Sequence, residues 1–178
     1  AESVPLNARL RDSLPHTARE MWDELNPWGT ASVEIRVERD GEDIDYEAAV
    51  EFTDCNADIK AFPMRIYGIT GKVVVTRDSI SIEGVKCLVN NAPGWITGII
   101  EGDMSSPRIL VTGEIRGMPL DQALRNALPE GDRKTWDEYS PRGKVDLTIV
   151  VSKEEKSADP PKVTVEAEAK GDASIEYE

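Results

Sequence analysis

The chain is short of the residues that build metal centres, covalent staples and thick aromatic cores. Its 178 residues include two cysteines, Cys55 and Cys87, and one histidine, His16. There is no CxxC pair, so a zinc centre lacks its usual ligands. The two cysteines either pair in an oxidising compartment or sit inside as small hydrophobes. Aromatics are 6% of the chain, and the only phenylalanines are Phe52 and Phe62. No apolar run approaches the ~18 residues of a membrane-spanning helix, and no secretory hydrophobic segment opens the chain. Positive charge is scarce too: 21 Lys and Arg face 34 Asp and Glu, for a net charge of −13. A surface that tracks nucleic-acid phosphates would be basic, so nucleic acid is excluded as a partner. Attraction to an anionic membrane surface has no source either. The acidity reads as a well-solvated outer face.

What the chain does have is an internal repeat. MWDELNPWG (Met21 to Gly29) returns as TWDEYSPRG (Thr135 to Gly143), 114 positions later. Carried back to Pro5 and Pro119, the ungapped comparison has 12 identities in 25 positions. Unrelated sequence would give about one or two, so the chain is read as repeat architecture. Leu6, Leu10 and Leu14 stand four apart, as do Leu120, Leu124 and Leu128, which predicts a helix from Pro5 to Leu14 and its copy up to Pro129. Second short helices are expected over Thr17–Leu25 and Asp132–Tyr139, each followed by Pro and Gly at a turn. Trp22 and Trp136 hold equivalent places and are expected to anchor helix to sheet.

Strands follow each helical pair. ASVEIRVER and IDYEAAVEF alternate apolar and charged residues around DGED (Asp40 to Asp43), which reads as a hairpin. Further strands are expected at KVVVT (72–76), SISIEGVKCLV (79–89), GWITGIIEG (94–102), RILVTGEIRG (108–117), GKVDLTIVVS (143–152), KVTVEAEAK and ASIEYE. KEEKSADPP (153–161) is a longer version of the first hairpin loop. One unit is thus about 114 residues, and the chain holds one unit and the first half of another, as a piece of a longer array would. The expected parts are a helical connector (1–29), the first sheet (30–117), a second connector (118–142) and the first strands of the second unit (143–178).

Signatures of chemistry are absent. No G-x-S-x-G, P-loop or G-x-G-x-x-G occurs. His16 has Glu130 at its place in the second unit. DGEDID (Asp40 to Asp45) lacks the order of a calcium loop and its twelfth-position Glu, and reads as a turn. Among 34 acids no spacing singles out a glycosidase-type pair. The chain is therefore read as no enzyme, with no cofactor and no metal.

Strands apolar on one face and charged on the other fit two architectures. One is a β-sandwich with a closed core. The other is a mostly β fold in which one curved antiparallel sheet forms an open groove, with short helices between repeats. The scarcity of Phe and the smooth Val, Ile and Ala wall favour the groove, and a repeating unit extends it strand by strand. The wall residues are Val33, Ile35, Val37, Ile44, Tyr46, Val50, Phe52, Val73, Val75, Ile80, Ile82, Ile109, Val111, Val145, Leu147, Ile149 and Val151. Free edges leave room for self-association.

The stretches MPLDQALRNALP, TWDEYSPRGKVDLTIVV, AFPMRIYGITGKVVVTRDSISIEGV and WITGIIEGD together resemble the AsmA-like superfamily of bacterial envelope proteins, over nearly the whole chain. The resemblance implies a repeating β-groove with an apolar interior. It implies a periplasmic or envelope location, phospholipid acyl chains as ligand, further repeats of the same parent chain as neighbours, and membranes at the ends of that parent. The implied role is lipid transfer or envelope maintenance; the alternative is a purely structural envelope repeat with a closed, dry core.

Overall fold

The computed structural model describes residues 2–13, 16–40, 43–60, 64–171 and 173–174. Period-two alternation gives strands that pair with their sequence neighbours. These are β1 (Glu2–Leu6), β2 (Pro27–Asp40), β3 (Asp43–Asp58), β4 (Arg65–Thr76), β5 (Ser79–Val89), β6 (Ala92–Glu101), β7 (Arg108–Pro119), β8 (Lys144–Lys153) and β9 (Lys162–Ala169). Among the described residues they form one open antiparallel sheet in chain order. Helices α1 (Ala8–Ser13) and α2 (His16–Leu25) join β1 to β2, and α3 (Gln122–Ala127) and α4 (Glu130–Tyr139) join β7 to β8. The fold is the expected mostly β, single-sheet architecture. The sandwich alternative falls, because the described residues contain no second sheet to close on the first.

The repeat extends to fine structure. Both helices of one connector map onto those of the other with the 114-residue offset at every boundary. Val4 opposite Ala31 recurs as Met118 opposite Val145, in the same register. The Leu10 N–H donates to the Asn7 side chain at 3.1 Å, and the Leu124 N–H to Asp121 at 3.0 Å, each capping a helix start. Arg11 grips Asp23 with two hydrogen bonds, and Arg125 grips Asp137 likewise, clamping each helical pair. Asn26 (φ 41) and Ser140 (φ 39) end the second helices in left-handed geometry.

Several boundaries differ from the sequence reading, each for a local reason. Pro5 and Leu6 belong to β1, not to a helix: an edge strand tolerates proline, and Asn7 starts the helix behind them. The second copy likewise begins at Gln122, because Pro119 ends β7. α2 and α4 start at His16 and Glu130, slightly ahead of the expected positions. β2 begins at Pro27, β3 runs on to Asp58 and β4 starts at Arg65, all beyond the alternating stretches. Bulges near 53–54 and Gly68 break the period-two pattern there. Of ASIEYE only a bridge at Ser174 to Arg142 is described. Leu14, residues 41–42 of DGED and Phe62 lie outside the described residues.

Curvature comes from the bulges and from close approaches at glycine. Gly117 (φ 64) sits in a bulge of β7 and donates its N–H to Asp146 at 2.7 Å. A Cβ on Gly98 would lie 2.5 Å from the Leu110 oxygen and 2.7 Å from the Val111 Cα. The neighbouring strand therefore leans over the apolar side of Gly98, and the sheet bends toward that face.

The core lies along the helix-bearing rim. Met118, wholly buried, packs with Met64, Ile66, Cys87, Val89, Ala92, Ile115, Leu124, Ala127 and Val145, with Trp136 against them. Trp136 thus does anchor helix to sheet. Cys55 and Cys87 are both buried free thiols rather than a disulfide.

Two outcomes follow. Gly98→Ala should cost about 1–3 kcal/mol, because backbone stands where its methyl group must go; urea unfolding measures it. The carboxyls of Asp23 and Asp137 are held below the ordinary 3.8, chiefly by hydrogen bonds from Arg11 and Arg125, with burial opposing. That of Asp146 is lowered mainly by the Gly117 N–H and then by Lys170. A depressed folded pKa gives stability that is complete above the unfolded value and lost as pH falls through the folded one. Thermal unfolding should therefore be flat through neutral pH and fall below about pH 4; Asp137→Asn should shrink that acid-limb loss.

Candidate functional site: the apolar face of the sheet

Register places the apolar residues in rows across the strands. One row runs Val33, Val50, Val73, Ile82, Gly98, Val111, Val151 and Val163, from β2 to β9. The row on the helix-free side runs Ile35, Ala48, Val75, Ile80, Ile100 and Ile109, and ends at Lys153. Val37 and Tyr46 pair beyond it. Toward the helices lie Val85, Ile96, Gly113, Ile149 and Val165, and Phe52 between Ala31 and Gly71. Ile44 stands opposite Arg39 in β3, and its side chain lies outside the described part.

This face divides in two. On the helix side Val145 is buried and Leu147 packs against the same core, so these two expected wall residues belong to the sealed rim. On the other side no described layer covers the rows. Ile35 and Val37 are each 63% exposed, and Val163 and Val165 are 59% and 58% exposed. Val33, Val50, Val73, Val75, Ile80, Ile82, Ile109, Val111, Ile149 and Val151 are half-buried by their neighbours in the curved sheet. The result is a gutter with one closed rim and one open rim.

The sequence reading missed Ile96, Ile100, Val163 and Val165 as wall residues. In GWITGIIEG both faces carry apolar groups, with Trp95 and Ile99 opposite Ile96 and Ile100, so alternation carried no sign of which face was inner. Gly113 was also passed over. A Cβ there would meet nothing nearer than the Trp95 oxygen at 4.0 Å, so the floor of the gutter has free space at β7.

The opposite face is polar over β2 and β3 and mixed beyond them, where Val74, Ile99 and the exposed Leu110 share a row. It carries Ser32, Glu34, Arg36, Glu47, Glu51 and a Lys72–Glu83 ion pair at 3.8 Å. Depressions of about 350 and 420 Å³ lie there or at its margin. The larger is floored by Trp95, with the Arg116 guanidinium 5.2 Å from its ring centre. Neither has the apolar lining of the gutter. Burial raises the pKa of Cys87, and it outweighs the backbone hydrogen bonds at Cys55 to raise that one too. Both thiols thus stay protonated and unreactive. Among the described residues no group of three His, Cys, Asp or Glu is placed to hold a metal. The helix carrying His16 lies at the sealed rim, and no described helix is long and apolar enough to cross a membrane.

The arrangement defines a class: a single-layer repeating β-groove, one face greasy and half covered. No protein family, curated protein or solved structure matches the chain.

The two zones should respond differently to charge. Ile35→Asp should shift stability by no more than about 0.5 kcal/mol, as at an exposed site. Ile115→Asp should cost several kcal/mol, because it puts an unpaired carboxylate into the core. Chemical denaturation of both variants checks the division.

Proposed function

We propose that the gutter carries the acyl chains of a membrane lipid, as a non-enzymatic module of a bridge-like lipid-transfer or envelope-maintenance protein. The observation that supports this is a continuous apolar surface from β2 to β9 with no described layer over its open half. A soluble domain rarely leaves such a patch bare without a use for it.

The dimensions suit the cargo. The strands β2 to β9, about 4.8 Å apart, give a gutter on the order of 35 Å long. The hydrocarbon core of a bilayer is about 30 Å thick and holds two chains end to end. Each methylene kept from water is worth about 0.8 kcal/mol, so a 16-carbon chain requires on the order of 12 kcal/mol of apolar contact. A curved wall of Val and Ile supplies that contact from more than one side. Along the tail itself, the Val and Ile side chains make no polar contact that would pin a chain at one point.

The chain's likeness to AsmA-like envelope proteins supports the same reading. It suggests a periplasmic or envelope setting, with more repeats and a membrane at each end of the parent protein. The sealed rim favours a purely structural role for that half alone. A dry structural repeat would leave no reason for the other half to stay uncovered.

Lipid should co-purify with the protein and appear in native mass spectra as phospholipid-sized adducts. Gly113→Phe places a ring in the free space on the gutter floor. It should reduce lipid load several-fold while the unfolding curve stays within about 1 kcal/mol of the parent. A preparation that takes up no lipid from vesicles, or a Gly113→Phe variant that loads as the parent does, would remove the reading.

A further inference from the structure

Lys153 interrupts the apolar wall. It closes the row that runs Ile80, Ile100, Ile109, and its register partner is Ile109, so it stands on the greasy side of the sheet. It is half-buried, and among the described residues it makes no ion pair. A lysine in that position lays its methylenes along the wall and lifts its ammonium to the open mouth. Arg39 holds the equivalent place one repeat earlier, also on the inner face. The equivalence is one of sequence position: along β2 the row of Lys153 is reached at Ile35, four residues before Arg39.

The two loops next to that strand end carry three acids, Glu154, Glu155 and Asp103, against one further cation, Lys156, whose ammonium lies 3.9 Å from Glu155. Glu154 follows Lys153 directly. Glu155 reaches the neighbouring loop, where its carboxylate accepts from the Asp103 N–H at 3.3 Å. The Lys156 N–H donates to the Ser106 oxygen at 2.9 Å, tying the two loops into one ordered rim. The Asp103 carboxylate is held by the Ser105 hydroxyl at 2.7 Å and remains ionised at neutral pH. The chain as a whole carries a net charge of −13, which opposes any ligand of net negative charge.

We propose that the gutter mouth at Lys153 selects zwitterionic phospholipids, with the phosphate on the Lys153 ammonium and the amine turned to the acidic loops outside it. This rests on the reading of the gutter as an acyl-chain site. A phosphate needs the inner cation, and a cationic amine is drawn to Glu154, Glu155 and Asp103. A phospholipid with no amine keeps its full negative charge against the same acids. A diacylglycerol has no charge to read.

The experiment incubates the protein with vesicles of phosphatidylcholine, of phosphatidylglycerol with the same chains, or of neutral carrier lipid containing diacylglycerol, and counts retained lipid by native mass spectrometry. At low salt the parent should retain phosphatidylcholine over phosphatidylglycerol by about fivefold, the scale of one partly exposed charge pair. High salt should narrow the ratio. Lys153→Glu should lose most of the phosphatidylcholine load, Lys153→Arg should keep it, and diacylglycerol should load alike in all three. Unfolding curves confirm that the variants fold, and Lys153→Gln serves if the glutamate does not. Equal loading of the two phospholipids, or a Lys153→Glu variant that weakens all three lipids together, overturns the selectivity while the gutter stands. Loading of no lipid at all removes both.

Discussion

A sheet with one greasy face must put that face somewhere, and here a single layer has only enough material to cover half of it. The constraint is one of supply. Two short helices per repeat can close one rim, and each pair is fixed by an Asn or Asp cap on its first helix, an arginine–aspartate clamp between the two and a left-handed residue after the second. They bury Met118, Leu124, Ala127 and Val145. Among the described residues nothing comparable reaches Ile35, Val37, Val163 or Val165. Stability therefore concentrates at the helix-bearing rim, and the rest of the face is free for another purpose.

The repeat makes this arrangement extendable. In a sandwich, two sheets must match each other in area, and adding a strand to one unbalances the other. In a single curved sheet each strand needs only its two neighbours. The connector pairs recur with the same register and the same hydrogen bonds, so each unit presents its closed and open rims in the same sense. Curvature has equally local causes: bulges such as that at Gly117, and glycines such as Gly98 where backbone comes too close for a side chain.

Much of this was legible in the sequence, and the failures have causes. β5 was read to the residue, because SISIEGVKCLV is bounded by clear turns. β1 was not, because a leucine spacing of four suggested helix while Pro5 and Leu6 were pairing with β2. The first half of β4 was hidden by the bulge at Gly68, since a bulge shifts which parity faces inward. In β6 both faces are apolar, so Ile96 and Ile100 could not be told from Ile99 by alternation.

The sequence by itself determined the repeat, most of the one-sided strands, the order of elements after β1 and the shortage of bulk that rules against a thick core. These are properties of neighbouring residues and of composition, and short-range chemistry decides them. Only the tertiary structure decided that the strands join in one layer, that Val145 and Leu147 are sealed while Ile35 and Val37 stay open, and that Lys153 shares a wall with Ile109. Those outcomes depend on which strands meet, how far the sheet bends and where the helices land. Residues far apart in the chain settle them, and a pattern of alternation is the same on a covered face and a bare one.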